Sequence, residues 1–481
     1  MSKESIVEAR RELTARELTR LVEELEQWEK KRRAADIHPD SKYRGQYESQ
    51  LKAVVSEVRG SAESLREDVR KKAEGLSVGE FYDVFARHDR RILWIRRAWN
   101  YFRQKFDQRD DPILAPVLQA ADEVVWSCYR PLFKNSGLQM DPAPLPYIDT
   151  NYSPVTFRSD QSSHLERPAD ADAGPLKDYF ASLPVPVIQL PAIVVTAPWS
   201  LVLIGHEIGH IVQPSIEPGY AYVKSFRRLV EEAVHEAGAD GTDEQTWGRW
   251  APEIFADWFS VVTMGPWGAW VMGQFELSSG ARMRQRRTLY PSAAARLVLL
   301  SRMSEQCGLG AVPDVLSDFE FDINKLEEGT ELFKDVNIAS RVAKLIYGEE
   351  LPGELGNLRE LVGFSADDYR LGTPPEDSGG EVAQWADALV GMRQKTNNEE
   401  LRAARLVAAG AAQAWREILR APAEDKRIEA TDSLRRSAFV RIRACAEPGT
   451  RAAVPRAELK EQPGRRLSQI LQEAGDDFLF Q

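Results

Sequence analysis

Leu201–Val212, LVLIGHEIGHIV, is the stretch that decides how the rest of the chain is read. His206 and His210 stand four positions apart. On a helix of about 3.6 residues per turn, that spacing puts both imidazoles on one face, one turn apart. Two ring nitrogens presented this way form half of a tetrahedral zinc site, and Glu207 falls beside the metal, where it can hold a water. The flanks (Leu203, Ile204, Gly205, then Ile208, Gly209, Ile211, Val212) carry no charge, as expected of a helix buried in a core with one polar face. Thr196-Ala197-Pro198 reads as a capping residue with proline in the first turn, and Pro214 closes the segment. The chain has only six histidines, and two of them sit here. Taken alone, the H-E-x-x-H pattern is a weak signal, because two core histidines satisfied by their neighbours would look the same.

Forty residues on, Pro252–Ser260, PEIFADWFS, supplies what is missing. Glu253 and Asp257 are also four apart, on a helix lined by Ile254, Phe255, Trp258, Phe259, Val261 and Val262. A carboxylate on so apolar a helix is expensive to bury unless it is paired or bound to metal. Glu253 is the expected third zinc ligand. Asp257 is the expected acceptor behind it, fixing the ring of a ligating histidine, His206. Glu236 and Asp240 have the same spacing but run into Gly241-Thr242-Asp243, a loop signal, and suit a solvated helix end better.

HEIGH followed by ExxAD resembles the gluzincin metallopeptidases, in which two histidines and a downstream glutamate hold zinc. Gly265-Pro266 after the second helix, and Tyr290-Pro291-Ser292 leading to Arg296, are similar to the branch containing the CAAX-prenyl proteases and the bacterial heat-shock membrane peptidases. The resemblance covers about Ile188–Ser301, under a quarter of the chain. It implies zinc-dependent hydrolysis of peptide bonds, with Glu207 as general base. Tyr290 stands where the pattern has histidine, and no membrane span is present, so neither a membrane location nor a prenylated substrate is carried over. Residues 184–196, PVPVIQLPAIVVT, read as a strand, and its prolines place it at an edge. In zincins the strand before the metal helix is the edge to which an extended peptide adds, which favours a peptide substrate.

The remainder of the chain sets bounds. At 481 residues there is room for two or three domains. A net charge of −11 argues against a general binder of nucleic acid or anionic membrane. Cys128, Cys307 and Cys445 are odd in number and far apart, so they form no disulfide framework and point to a reducing, cytoplasmic setting. The first twenty residues contain no apolar run of the kind a signal peptide needs. Leu18, Leu21, Leu25 and Trp28 mark one amphipathic helix and Tyr47, Leu51, Val54, Val58, Leu65 and Val69 a second, with a break at His38-Pro39-Asp40. The pair reads as a helical domain, with a coiled-coil docking arm as the functional alternative. Residues 78–107 interleave aromatics with arginines. Given the acidic whole, a buried aromatic face backed by solvated arginines fits them better than a nucleic-acid surface.

The chain is therefore expected to be mainly α. A zincin-like core with a small edge-strand sheet spans 111–308, between a coiled-coil-like helical region at 1–110 and a helical domain at 309–481. His206, His210 and Glu253 would bind Zn²⁺, with Asp257 behind them, and Glu207 would move the proton. Tyr290 or Arg296, with Tyr220 or Tyr222 behind them, would stabilise the oxyanion. The partners are a protein or peptide substrate and, through the helical flanks, a larger assembly. The alternatives are a latent protease regulated within a larger assembly, its helical flanks serving as sensor or lid, and a helical scaffold that has lost activity, for which Tyr290 in place of histidine is the hint.

Overall fold

The computed structural model describes residues 3–35, 47–71, 78–150, 154–157, 184–217, 220–276, 280–309, 326–372, 377–391, 403–421 and 424–446. The expected break at His38-Pro39-Asp40 and the apolar C-terminal tail lie outside them. The described chain is mainly helical, with one three-stranded sheet.

Three long helices come first: α1 (Lys3–Ala35), α2 (Glu48–Lys71) and α3 (Val78–Asp107). Their apolar stripes meet, and Leu18, Leu21, Leu25, Trp28, Leu51, Val54, Val58, Phe85, Trp99 and Phe102 are all buried in one core. Arg96–Glu24, Trp28–Asp107 and Arg32–Asp110 step along α1 and α3 in the same direction, so these two helices run parallel. Arg33–Glu48 and Arg59–Glu29 step oppositely, so α2 runs back between them. The aromatics of α3 are core, apart from exposed Tyr82, and Arg91 and Arg96 face Asp68 and Glu24.

After α4 (Leu114–Ser136) come β1 (Leu145–Asp149), β2 (Val155–Phe157) and β3 (Val187–Pro191), in spatial order β1-β3-β2. β1 runs parallel to β3, with Leu145 opposite Val187, and β2 runs antiparallel to it, with Thr156 opposite Ile188. This corrects the expectation that residues 184–196 form an edge. β3 is the central strand, and all five of its residues are buried. Pro184 and Pro186 precede the strand and Pro191 ends it, so no proline interrupts the ladder from within. The edge strand nearest the two-histidine helix is β2. Leu145, Tyr147 and Val187 join the core of α1–α3, while Ile148, Ile188 and Leu190 join a second, larger core. The sheet thus stands between the two.

The larger core is built from α4 and the later helices: α5 (Ile204–Val212), α6 (Ala221–Glu236), α7 (Gly241–Met264), α8 (Pro266–Glu276), α9 (Gly280–Arg284), α10 (Ala293–Gln306), α11 (Glu331–Tyr347), α12 (Leu358–Leu361), α13 (Glu381–Leu389), α14 (Ala403–Arg420) and α15 (Glu424–Arg443). The helices from α11 onward share this core with α5–α10, rather than closing one of their own among the described residues. Trp247, Trp250, Trp258, Trp267 and Trp270 are buried packing within it. Thr196 does not cap α5: Pro198 opens a tight 3₁₀ turn, Pro198–Leu203, and the α-helix proper begins at Ile204.

Candidate metal centre

α5 is buried along its whole length, and its two glycines explain how α7 comes so close. A Cβ on Gly209 would sit 2.6 Å from Ala256 Cα, and one on Gly205 would sit 2.8 Å from the Met264 side chain. Real Cβ atoms do not approach backbone as closely as the Gly209 position would require, so only glycine permits the crossing there, while at Gly205 the side chains of Met264 and Thr263 would have to shift. The face of α5 that carries His206 and His210 is thereby brought against Glu253 of α7.

Three donor atoms converge there. His206 Nε2 lies 3.2 Å from Glu253 Oε2 and 3.2 Å from His210 Nε2, and His210 Nε2 lies 3.4 Å from Glu253 Oε2. Ligands placed tetrahedrally around an ion at the usual zinc distances are separated by about 3.4 Å. Glu253 Oε2 is buried and accepts no hydrogen bond among the described residues, although it faces both rings. A buried carboxylate oxygen left in that state fits a cation bound between the three groups. The group His206, His210 and Glu253 could hold a metal ion.

The electrostatics agree. Burial alone would lower the His206 pKa, yet the carboxylates of Asp257 and Glu253 hold it up at about 10. Burial would raise Glu253, but the facing rings, His210 foremost, keep its carboxyl well below the usual range. A cluster that retains a proton this strongly against burial gains from positive charge at its centre.

Behind the donors lies a chain of charges. His206 Nδ1 meets Asp257 Oδ1 at 2.9 Å, which orients the ring and turns Nε2 toward Glu253. Arg296 grips Asp257 with both arms of its fork, Nη2 to Oδ1 at 2.7 Å and Nε to Oδ2 at 2.8 Å. Its third nitrogen donates to Glu276 Oε1 at 2.8 Å, and Arg287 donates to the same oxygen at 2.9 Å. Arg296 Nη2 also rests 3.5 Å from both nitrogens of the His206 ring. The guanidinium expected as an oxyanion donor is therefore committed to Asp257 and Glu276, and it acts on the ring of His206 through Asp257. Asp257 and Glu276 are pushed up by burial, but Arg296 brings both below their ordinary values.

Glu207 is 4% exposed, and its Oε2 accepts from Thr156 Oγ1 of β2 at 2.5 Å. Tyr290 is half-buried, its ring flanked by the guanidinium groups of Arg287 and Arg296 at 5.0 and 5.2 Å. The charge of Glu253 first, then burial, raises the Tyr290 phenol, and Glu207 adds to the effect. Tyr290 thus sits beside Arg296, whose fork holds Asp257 behind His206. Tyr222 is packed against Phe226 and Phe255 in the core, and Tyr220 stands exposed at the start of α6 with φ 59°. The rival carboxylates have other partners: Glu236 pairs with Arg341, and Asp240 caps α7 by accepting from Thr242 and Asp243.

Two residues of the site went unread in the sequence, Thr156 and Glu276. The Val155-Thr156-Phe157 triplet after Pro154 is a strand signal, but three residues in a proline-rich stretch say nothing of their neighbours. Comparison with protein-family models, with curated proteins and with solved structures returns no match.

Proposed function

We propose that the chain is a zinc-dependent peptidase of the gluzincin type. The observation that carries the reading is the set of 3.2–3.4 Å separations among His206 Nε2, His210 Nε2 and Glu253 Oε2, with Asp257 behind His206. Two histidines and one carboxylate form a ligand set of hydrolytic zinc sites, and three protein donors rather than four is their usual count. When bound there, zinc supplies Lewis-acid polarisation of a carbonyl and a water of lowered pKa. Glu207 would serve as the general base, taking a proton from the attacking water and returning it to the leaving amine. Tyr290, whose phenol is held protonated by the carboxylates around it, is the neutral donor available to the developing oxyanion. Among the described residues no strand pairs with the outer edge of β2, and an extended peptide adding there would run beside Glu207.

One observation supports a second reading, a latent enzyme. His206, Glu207 and His210 are only 4–7% exposed, so a polypeptide reaches them only after the site opens. Metal content by mass spectrometry, with cleavage of a peptide library by wild type and Glu207→Gln, tests both. One zinc per chain and cleavage lost in Glu207→Gln is the expected result. Zinc without Glu207-dependent cleavage in any condition leaves an inactive scaffold, and no bound metal ends the peptidase reading.

A further inference from the structure

Glu207 is held from outside its own helix. The Thr156 hydroxyl donates to Glu207 Oε2 at 2.5 Å, and the hydroxyl oxygen also lies 3.2 Å from the Glu207 main-chain carbonyl oxygen. One hydroxyl has one proton to give, and the shorter contact has the length of a charge-assisted O–H···O⁻ bond. Thr156 is 2% exposed, is fixed in the ladder opposite Ile188, and is stiff about χ1 because it is β-branched. The donor is therefore set by the sheet, while the acceptor ends a side chain with three rotatable bonds. Among the described residues no other hydrogen bond reaches the Glu207 carboxylate.

We propose that Thr156 is the positioning residue of the general base: it anchors Oε2 and leaves Oε1 to take the proton of the attacking water. Misplacing a reacting group by about an ångström costs on the order of a hundredfold in rate, so a single tether of this kind matters to turnover. The inference rests on the peptidase reading above.

The test uses the full-length, zinc-loaded protein and the best-cleaved peptide of the library. Thr156→Val, which keeps the shape and removes the donor, is expected to lower kcat by about 10- to 100-fold with KM and zinc content unchanged. Thr156→Ser is expected to restore most of the loss. An unchanged kcat, a loss that serine does not restore, or a rise in kcat, which would mean that the hydroxyl obstructs the water, each overturns the proposal. A second measurement needs no activity. In metal-free protein, the drop in urea midpoint caused by Thr156→Val should shrink by more than half in a Glu207→Met background; equal drops in both backgrounds overturn it. If wild type shows no Glu207-dependent cleavage, the peptidase reading falls, and this cycle still decides whether Thr156 holds the carboxylate.

Discussion

Arg296 in the larger core and Lys105 in the smaller one are both buried cations, and their surroundings treat them oppositely. Arg296 is 3% exposed, is held by Asp257 and Glu276, and has its pKa raised well above the ordinary value despite burial. Lys105 is 7% exposed, and its ammonium group lies over the rings of Tyr101 at 3.3 Å and Tyr147 at 4.4 Å. It donates to the Tyr101 carbonyl at 3.2 Å, and burial pulls its pKa down to about 7 against the distant charge of Asp149. A buried charge is settled by a carboxylate in hydrogen-bond contact and only softened by π faces and a carbonyl dipole. The larger core thus sustains a fixed line of charges, from Glu276 through Arg296, Asp257 and His206 to Glu253, which is what a divalent ion needs around it. The smaller core buries a paired cation too, Arg32 against Asp107 and Asp110, but among the described residues no carboxylate lies in hydrogen-bond contact with Lys105.

The largest effect should come from breaking the charged line at its inner end. Glu253→Ala leaves two imidazoles with no carboxylate, and metal affinity, read by competition with a chromogenic chelator, should fall by well over about 100-fold, beyond the loss typical of a residue that only supports a ligand. Asp257→Asn keeps all three donors and removes only the charge that orients His206; its loss should be about 10- to 100-fold. Equal losses in the two variants would mean that Glu253 does not touch the metal.

Next in size is the far end of the same line. Arg296→Met leaves Asp257 and Glu276 buried without their common cation, and breaking such a pair from one side costs about 3–5 kcal/mol, measurable as a drop in unfolding free energy by urea. A cost near zero would mean that water or another cation reaches those carboxylates, and the contrast with Lys105 would lose its basis.

How far these features could be read from the sequence follows the same division. The α5 face was legible because His206, Glu207 and His210 obey a single helical period. Glu253 and Asp257 were legible because carboxylates among Ile254, Phe255, Trp258 and Phe259 demand a reason to be there. Arg296 was found, but its role was misread: nothing local announces that Glu276, twenty residues away, would take its third nitrogen. The prolines of residues 184–191 suggested an edge strand, because sheet order depends on residues far apart in sequence, and the short β2 that takes the edge has almost no periodicity to detect. Thr156 meets Glu207 across 51 residues and was invisible for the same reason.

The smallest effect tests the other side of the contrast, and its sign is fixed by linkage. The Lys105 pKa falls from 10.5 to about 7 on folding. Between those values the unfolded chain binds the proton and the folded chain does not, so stability rises with pH across that window and is lost as pH drops through about 7. Burial pushes the phenols of Tyr101 and Tyr147 above their ordinary values, so neither ionises in the folded chain there, and their titration in the unfolded chain is common to wild type and variant. Lys105→Met keeps the stem and removes the charge. Below about pH 7 the variant should be more stable than wild type by roughly 1–3 kcal/mol in urea unfolding, with the gap closing toward pH 10. Arg296→Met should show no such closing, since Arg296 stays charged throughout. If wild type and Lys105→Met instead give parallel curves from pH 6 to 10, the two tyrosine rings and a carbonyl are enough to hold a full ammonium charge. The absence of a carboxylate partner would then not be what separates Lys105 from Arg296.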